Sequence, residues 1–208
     1  MNNQKNKKWF LMALVFIFAL IAIVACNSRL FHSPKKPIQR PIMLKYKKFE
    51  TKNPSLDFTF EYPEMGWQPV ETVGRTEKYD QVYLRGPVDK TKNFITIIDV
   101  TVRPLEAGKG IDDLLATFLN YDSNFGKFMV LQKGKKDIAG EKASFALSSF
   151  EQVPLPRIEM PPVPFKKQMI FLIKDGRSYE FTLITIAEQY DIYEPILERV
   201  LATFKFTK

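Results

Sequence analysis

Few side chains in this 208-residue sequence have the type and spacing that covalent or acid–base chemistry needs. Ser144, Ser148 and Ser149 lie close together, but a serine becomes a nucleophile only when a base takes its proton. The one histidine, His32, lies far upstream in a proline-rich stretch, so no Ser–His pair is written into the pattern. With one His and one Cys, the chain also lacks the ligand set of a zinc site. Asn120, Asp122 and Asn124 alternate like the start of a calcium loop, yet the glycine falls at the seventh position (Gly126) and no Glu closes the twelfth. A polar turn after a helix is the expectation there.

The remaining carboxylates offer little more. Asp112 and Asp113 are adjacent, diverge on a helix, and favour its N-terminal dipole. Asp99 is the one carboxylate whose burial would shift its pKa, although an edge position or a lysine partner is the plainer expectation. No G-x-S-x-G elbow, phosphate-binding loop or dinucleotide fingerprint is present, and Gly108 to Gly110 reads as a helix entry. The expectation is a non-enzyme with no catalytic residue, no metal and no cofactor.

The elements that would position these residues read as sheet with two helices. Residues 43–50 and 56–62 alternate around a turn at Lys52 to Pro54 and form a first hairpin. Residues 80–85 are a short strand and 94–102 a longer one. Strands at 127–137 and 141–152 flank Ala139-Gly140, and strands at 167–174 and 177–187 flank Asp175-Gly176, a type I′ turn pair. That last hairpin is apolar at odd and even positions alike, so both of its faces must be covered. Ile111, Leu114, Leu115, Phe118 and Leu119 make one helical stripe within 110–120; Ile192, Ile196, Leu197, Val200 and Leu201 make another within 191–204, with Pro195 tolerable only in a first turn. The fold class is α+β: a mainly antiparallel sheet covered by helices on both faces.

Ahead of this domain stand two segments of different character. Lys5, Lys7 and Lys8 precede an unbroken apolar run from Trp9 to Cys26, the charge-then-hydrocarbon order of an export signal. Its end, Ile23-Val24-Ala25-Cys26, resembles a bacterial lipobox, which implies that the Cys26 thiol receives a lipid and becomes a new N-terminus. An uncleaved anchor also fits, since eighteen apolar residues at about 1.5 Å each come close to a bilayer span. Arg29, Lys35, Lys36 and Arg40 follow the run and weaken the charge contrast that sets orientation, which leaves an inverted anchor as a third arrangement. Under the first two, the domain stands on the extracytoplasmic face of a bacterial cell envelope, held by lipid on Cys26 or by the N-terminal helix.

Residues 27–42 are basic and proline-rich, as an extended tether would be. Formal charge divides unevenly, at +3 for residues 1–26, +7 for 27–52 and −2 for the remainder. The folded part, 43–208, is therefore close to neutral, at +1, and nucleic acid is not an expected partner. Between the strands ending at Gln152 and starting near Lys167 lies VPLPRIEMPPVPF, five prolines in thirteen residues. Long loops of this kind are often functional, and Leu155, Ile158, Met160, Val163 and Phe165 would be exposed if it projects. Shielding of a sheet edge explains the prolines equally well.

The run Phe58 to Trp67, FTFEYPEMGW, resembles the F-x-x-x-Y-P-x-x-W opening of the PsbP-like family, with three residues instead of two between Pro63 and Trp67. A strand ending in Thr101-Val102-Arg103-Pro104-Leu105, a short helix, Ala139-Gly140 and a closing helix into Ala202-Thr203-Phe204 follow in the same order. The resemblance spans about residues 43–206 and implies an α/β/α sandwich of an accessory or binding protein. The expected function is thus a non-catalytic, membrane-tethered protein acting through contacts with an envelope protein, with Leu155, Ile158, Met160 and Phe165 as contact candidates. A carrier of an apolar small molecule is the alternative.

Overall fold

The computed structural model describes residues 44–51, 53–73, 79–152 and 161–207. Along them run β1 (Tyr46–Phe49), β2 (Phe58–Pro63), β3 (Gln68–Val73), β4 (Asp80–Asp89), β5 (Phe94–Pro104), α1 (Ile111–Asp122), β6 (Gly126–Ile138), β7 (Glu141–Gln152), β8 (Val163–Lys174), β9 (Arg177–Ile186), α2 (Tyr190–Thr203) and β10 (Lys205–Phe206). Seven strands form one sheet in the order β3-β4-β5-β9-β8-β7-β6, and every adjacent pair is antiparallel. The small sheet β1-β2-β10 stands apart from it in hydrogen bonding. Residues 44–208 make one compact unit, and the segments expected to be an export signal, a lipobox at Cys26 and a tether lie outside the described residues.

Turn chemistry fixes two of the long hairpins. Asp175 and Gly176 have φ of +49° and +72°, and Ala139 and Gly140 have +51° and +88°, so both pairs take the doubly left-handed path that matches strand twist. With register set at Ile173↔Ser178, the β8–β9 hairpin sends alternate residues to opposite sides. Met169 and Phe171 pack in a cluster with Leu115 and Leu119 of α1. Ile170, Leu172, Phe181 and Leu183 belong to a larger cluster with Ile196, Leu197 and Val200 of α2 and with Phe58 and Phe60 of β2. None of Met169, Ile170, Leu172, Phe181 and Leu183 is exposed at all. Each such side chain contributes about 1.5–3 kcal/mol by leaving water.

Each helix is joined to the sheet by polar bonds as well as by its stripe. Fully buried Asp122, at the end of α1, receives the Lys167 ammonium from β8 at 3.1 Å on both carboxylate oxygens. In α2 the Tyr190 hydroxyl donates to buried Gln168 at 2.7 Å. That bond places Tyr190 rather than Ile192 in the buried position of the first turn, and Ile192, two residues round the helix, is 48% exposed. Pro195 also falls deeper than its usual first-turn position. A 3₁₀ turn at Ala187–Gln189 leads into the helix at Tyr190, which makes Pro195 its sixth residue.

Two elements differ from the sequence pattern. β3 was not expected, because Pro69 and Glu71 interrupt its alternation; a short edge strand tolerates both. β8 begins four residues earlier than its apolar run suggests, at Val163. Alternation then carries Val163 and Phe165 inward, and Phe165 is 2% exposed against Phe94 and Phe150. Phe165 is therefore a core residue and not an exposed contact.

One packing constraint is sharp enough to test. A Cβ on Gly86 would lie 2.8–2.9 Å from the Trp67 ring and 3.0 Å from the Thr96 carbonyl oxygen. Gly86→Ala should lower stability by about 1–3 kcal/mol, read as a shifted urea midpoint with an unchanged slope.

Candidate functional site

The residue types that chemistry would use are mostly engaged in holding the fold. Buried Ser144 donates its hydroxyl to Asp112 at 2.6 Å, and Ser148 donates to the Lys167 carbonyl at 3.3 Å. The Ser144 bond and the nearby Lys135 ammonium hold the Asp112 carboxyl below its ordinary range. Asp113 accepts the Gly110 amide at 2.8 Å, so the adjacent aspartates diverge and serve the start of α1. Asn124 donates to the Tyr121 carbonyl at 2.8 Å and Ser123 to the Asn120 carbonyl at 2.6 Å, which makes 120–125 a polar helix-ending turn. Asp122 within it belongs to Lys167. No group of three or more His, Cys, Asp or Glu side chains suited to a metal occurs among the described residues.

Of the contact candidates, Leu155, Ile158 and Met160 lie outside the described residues, as do Cys26 and His32. At the described margins of that loop, Pro161, Pro162 and Pro164 are exposed, while Val163 and Phe165 are buried.

Asp99 stands apart. Antiparallel register sets it opposite Tyr83 on β4 and Thr182 on β9, and sets Thr101 opposite Gln81 and Glu180. Arg103 donates to the Glu180 carboxylate at 2.6 Å while its guanidinium lies 5.1 Å from the Tyr79 ring and 5.2 Å from the Phe118 ring. The Thr182 hydroxyl takes the other Glu180 oxygen at 3.1 Å. Glu180 is thus fully served by a cation and a hydroxyl.

Its neighbour is not. Thr101 donates to Oδ2 of Asp99 at 3.0 Å, but Oδ1 is buried with no hydrogen-bond partner. Burial, and next the negative charge of Glu180, push the Asp99 carboxyl up to about 7, against the nearby Gln81 amide, the Thr101 hydrogen bond and the Arg103 charge. This group holds a proton near neutrality. With Oδ1 enclosed and no serine, cysteine or histidine bonded to it among the described residues, it has no nucleophile or base to act with. The sequence singled out Asp99 but missed Glu180 and Arg103, whose proximity depends on β5 pairing with β9 across a long stretch of chain.

No protein-family model matches the chain, and no curated protein matches it. Among solved structures, cyanobacterial PsbP (CyanoP) from Synechocystis sp. PCC 6803 superposes with a TM-score of 0.51 at 14% identity, covering 79% of this chain and 94% of that one. The Ran-binding protein Mog1p of Saccharomyces cerevisiae gives 0.50 at 10% identity, covering 79% and 97%. LpqN of Mycobacterium tuberculosis, involved in cell envelope biogenesis, gives 0.48 at 10% identity, covering 80% and 92%. The mainly antiparallel sheet with two helices is a PsbP-like fold. At these identities the likeness concerns the fold, not an activity.

The Asp99 environment makes a signed prediction. A carboxyl raised in the folded state from an ordinary 3.8 favours folding while it stays protonated, and that contribution fades as pH climbs from about 4 to about 7. Asp99→Asn removes this dependence. The variant should match the parent near pH 4 and exceed its stability at pH 8, by no more than about 4 kcal/mol at 1.36 kcal/mol per pKa unit. Urea denaturation at several pH values reads the difference directly.

Proposed function

We propose that this chain is a membrane-tethered, non-catalytic binding protein whose folded unit stands on the extracytoplasmic side of a bacterial envelope and engages a protein partner there. The observation that carries the reading is the sequence of parts: an apolar run ending in Ile23-Val24-Ala25-Cys26, a basic proline-rich spacer, and then a compact unit that starts at Leu44. A thiol at that position accepts the lipid, and two acyl chains give lasting attachment where one is marginal. The spacer then holds the folded unit off the surface.

The binding role draws support from how the described side chains are used. Ser144 and Ser148 of β7 and Asp112, Asp113 and Asp122 of α1 bond to one another, to Lys167 of β8 or to backbone, as set out above, and Glu180 is matched to Arg103. Mog1p, described as a Ran-binding protein, gives a precedent for a protein ligand on this fold. We read the layering as an α/β/α sandwich, on the ground that α1 packs with odd-numbered residues of β8 and α2 with even-numbered ones. A carrier role gains less: the clefts beside Lys48 and Asn53 (about 390 Å³) and beside Asp112 and Ser144 (about 310 Å³) are open grooves, not enclosed apolar cavities.

Two measurements test this. Cys26→Ser should lose lipid labelling and processing, and move to the soluble fraction if the apolar run is otherwise cleaved. A variant attached and processed like the parent would refute the lipid anchor. Replacing residues 153–162 with a short turn spares the Val163–Phe165 strand and should abolish partner recovery from solubilised membranes if that loop makes the contact; unchanged recovery assigns the contact elsewhere.

A further inference from the structure

A second feature of the folded unit bears on what the partner looks like. At the far end of β4 the register jumps: Arg85 pairs with Ile97 and Val88 with Ile95, so Gly86 and Pro87 together face Thr96 as a bulge. β3 begins at Gln68, opposite Arg85, and leaves the rest of β4 without a neighbour on that side. The Trp67 ring closes against the side-chain-free Gly86. Gly66, at φ +77°, turns the preceding chain away. The result is a cleft of about 410 Å³ whose walls include Trp67, Gln68, Arg85, Val88 and Ile95.

Three properties of this cleft point the same way. Its rim carries apolar surface that the protein leaves in water: Val88 is 54% exposed, and Met65, next to the lining residue Gly66, is 80% exposed. Its one cation, Arg85, is exposed and, among the described residues, makes no ion pair, hydrogen bond or ring contact. Other basic side chains of the same sheet do have partners, such as Arg103 with Glu180, Lys127 with Glu151 and Arg177 with Asp57. Pro87 has no N–H to offer, so an added β-strand would meet a gap in its ladder. Side chains of a partner fit here better than a strand does.

We propose that the cleft at the Gly86 bulge binds a segment of a protein partner in which a carboxylate lies beside an aliphatic side chain. The guanidinium fork of Arg85 matches a carboxylate in two parallel hydrogen bonds. The aliphatic neighbour covers Val88, Ile95 and the exposed margin of Trp67, and Gln68 supplies a further donor at the rim. The volume suits one or two side chains. This proposal rests on the reading of the chain as a partner-binding protein and names the chemistry of the contact.

The test uses the full chain in mild detergent with Trp9→Phe, which leaves Trp67 as the sole indole. The probes are two blocked peptides, acetyl-Gly-Asp-Leu-Gly-amide and its Asn counterpart, titrated against Trp67 fluorescence. The Asp peptide should give a saturable change in the millimolar range or tighter. Affinity should fall by about tenfold or more for the Asn peptide and for the Arg85→Gln variant, a loss of 1.4 kcal/mol or more. Because Arg85 is exposed and its side chain has no partner among the described residues, Arg85→Gln should keep the parent's thermal unfolding, so a lost signal cannot be put down to lost folding. No saturable change with the Asp peptide, or equal affinity for either peptide or either protein, overturns the proposal. The titration needs neither anchoring nor a native partner. It can therefore fail while partner recovery from membranes still succeeds, and the two failures are told apart.

Discussion

The structure depends on one constraint: the β8–β9 hairpin is apolar on both sides and sits at the middle of a seven-stranded sheet. A sheet with one wet face could have been left partly open. Here Met169 and Phe171 point one way and Ile170, Leu172 and Phe181 the other, and none of these can remain in water without losing the hydrophobic stabilisation that holds the domain together. The two helices and the small β1-β2-β10 sheet answer that demand. Even the ionic contacts serve it: Lys167–Asp122 ties α1 to β8, and Arg177–Asp57 ties the end of the hairpin to the chain leading into β2.

Asp99 and Arg85 depart from this logic in opposite senses. Asp99 is a carboxylate drawn into the sheet beside a second carboxylate, with one oxygen unpaired; folding tolerates it by keeping a proton on it near neutrality. Arg85 is a cation left outside whose guanidinium has no partner among the described residues, beside a bulge where the sheet's own pairing is broken. The first is a cost carried inside the fold. The second is a bonding capacity that the fold does not use, at a place another molecule can reach.

Much of the architecture was legible because it rests on local rules. Asp175-Gly176 and Ala139-Gly140 select their turns through two consecutive left-handed residues, and the stripe Ile111 to Leu119 marks a helix by spacing alone. Errors arose where a neighbour overrode the local pattern. β3 forms despite Pro69 and Glu71 because β4 offers it an edge, and Phe165 joins the core because β8 extends back to meet β9 at Ile186. In α2, Tyr190 displaces Ile192 from the buried side because Gln168 of β8 lies within reach of its hydroxyl. Asp99 was visible as an acid in an apolar strand, but its charged neighbours were not.

What the sequence by itself determined is the order of parts and the type of each element: an apolar leader ending in a cysteine, a basic spacer, then strands and helices marked by periods of two and 3.6 residues. Those signals reside within a few consecutive residues, so no distant contact is needed to read them. Only the tertiary structure decided which strands became neighbours, and with that the placement of Glu180 near Asp99, the burial of Phe165 and the cleft between Trp67 and Arg85. Each of these joins residues far apart in the chain, and their proximity is set by sheet register and packing, which no local pattern encodes.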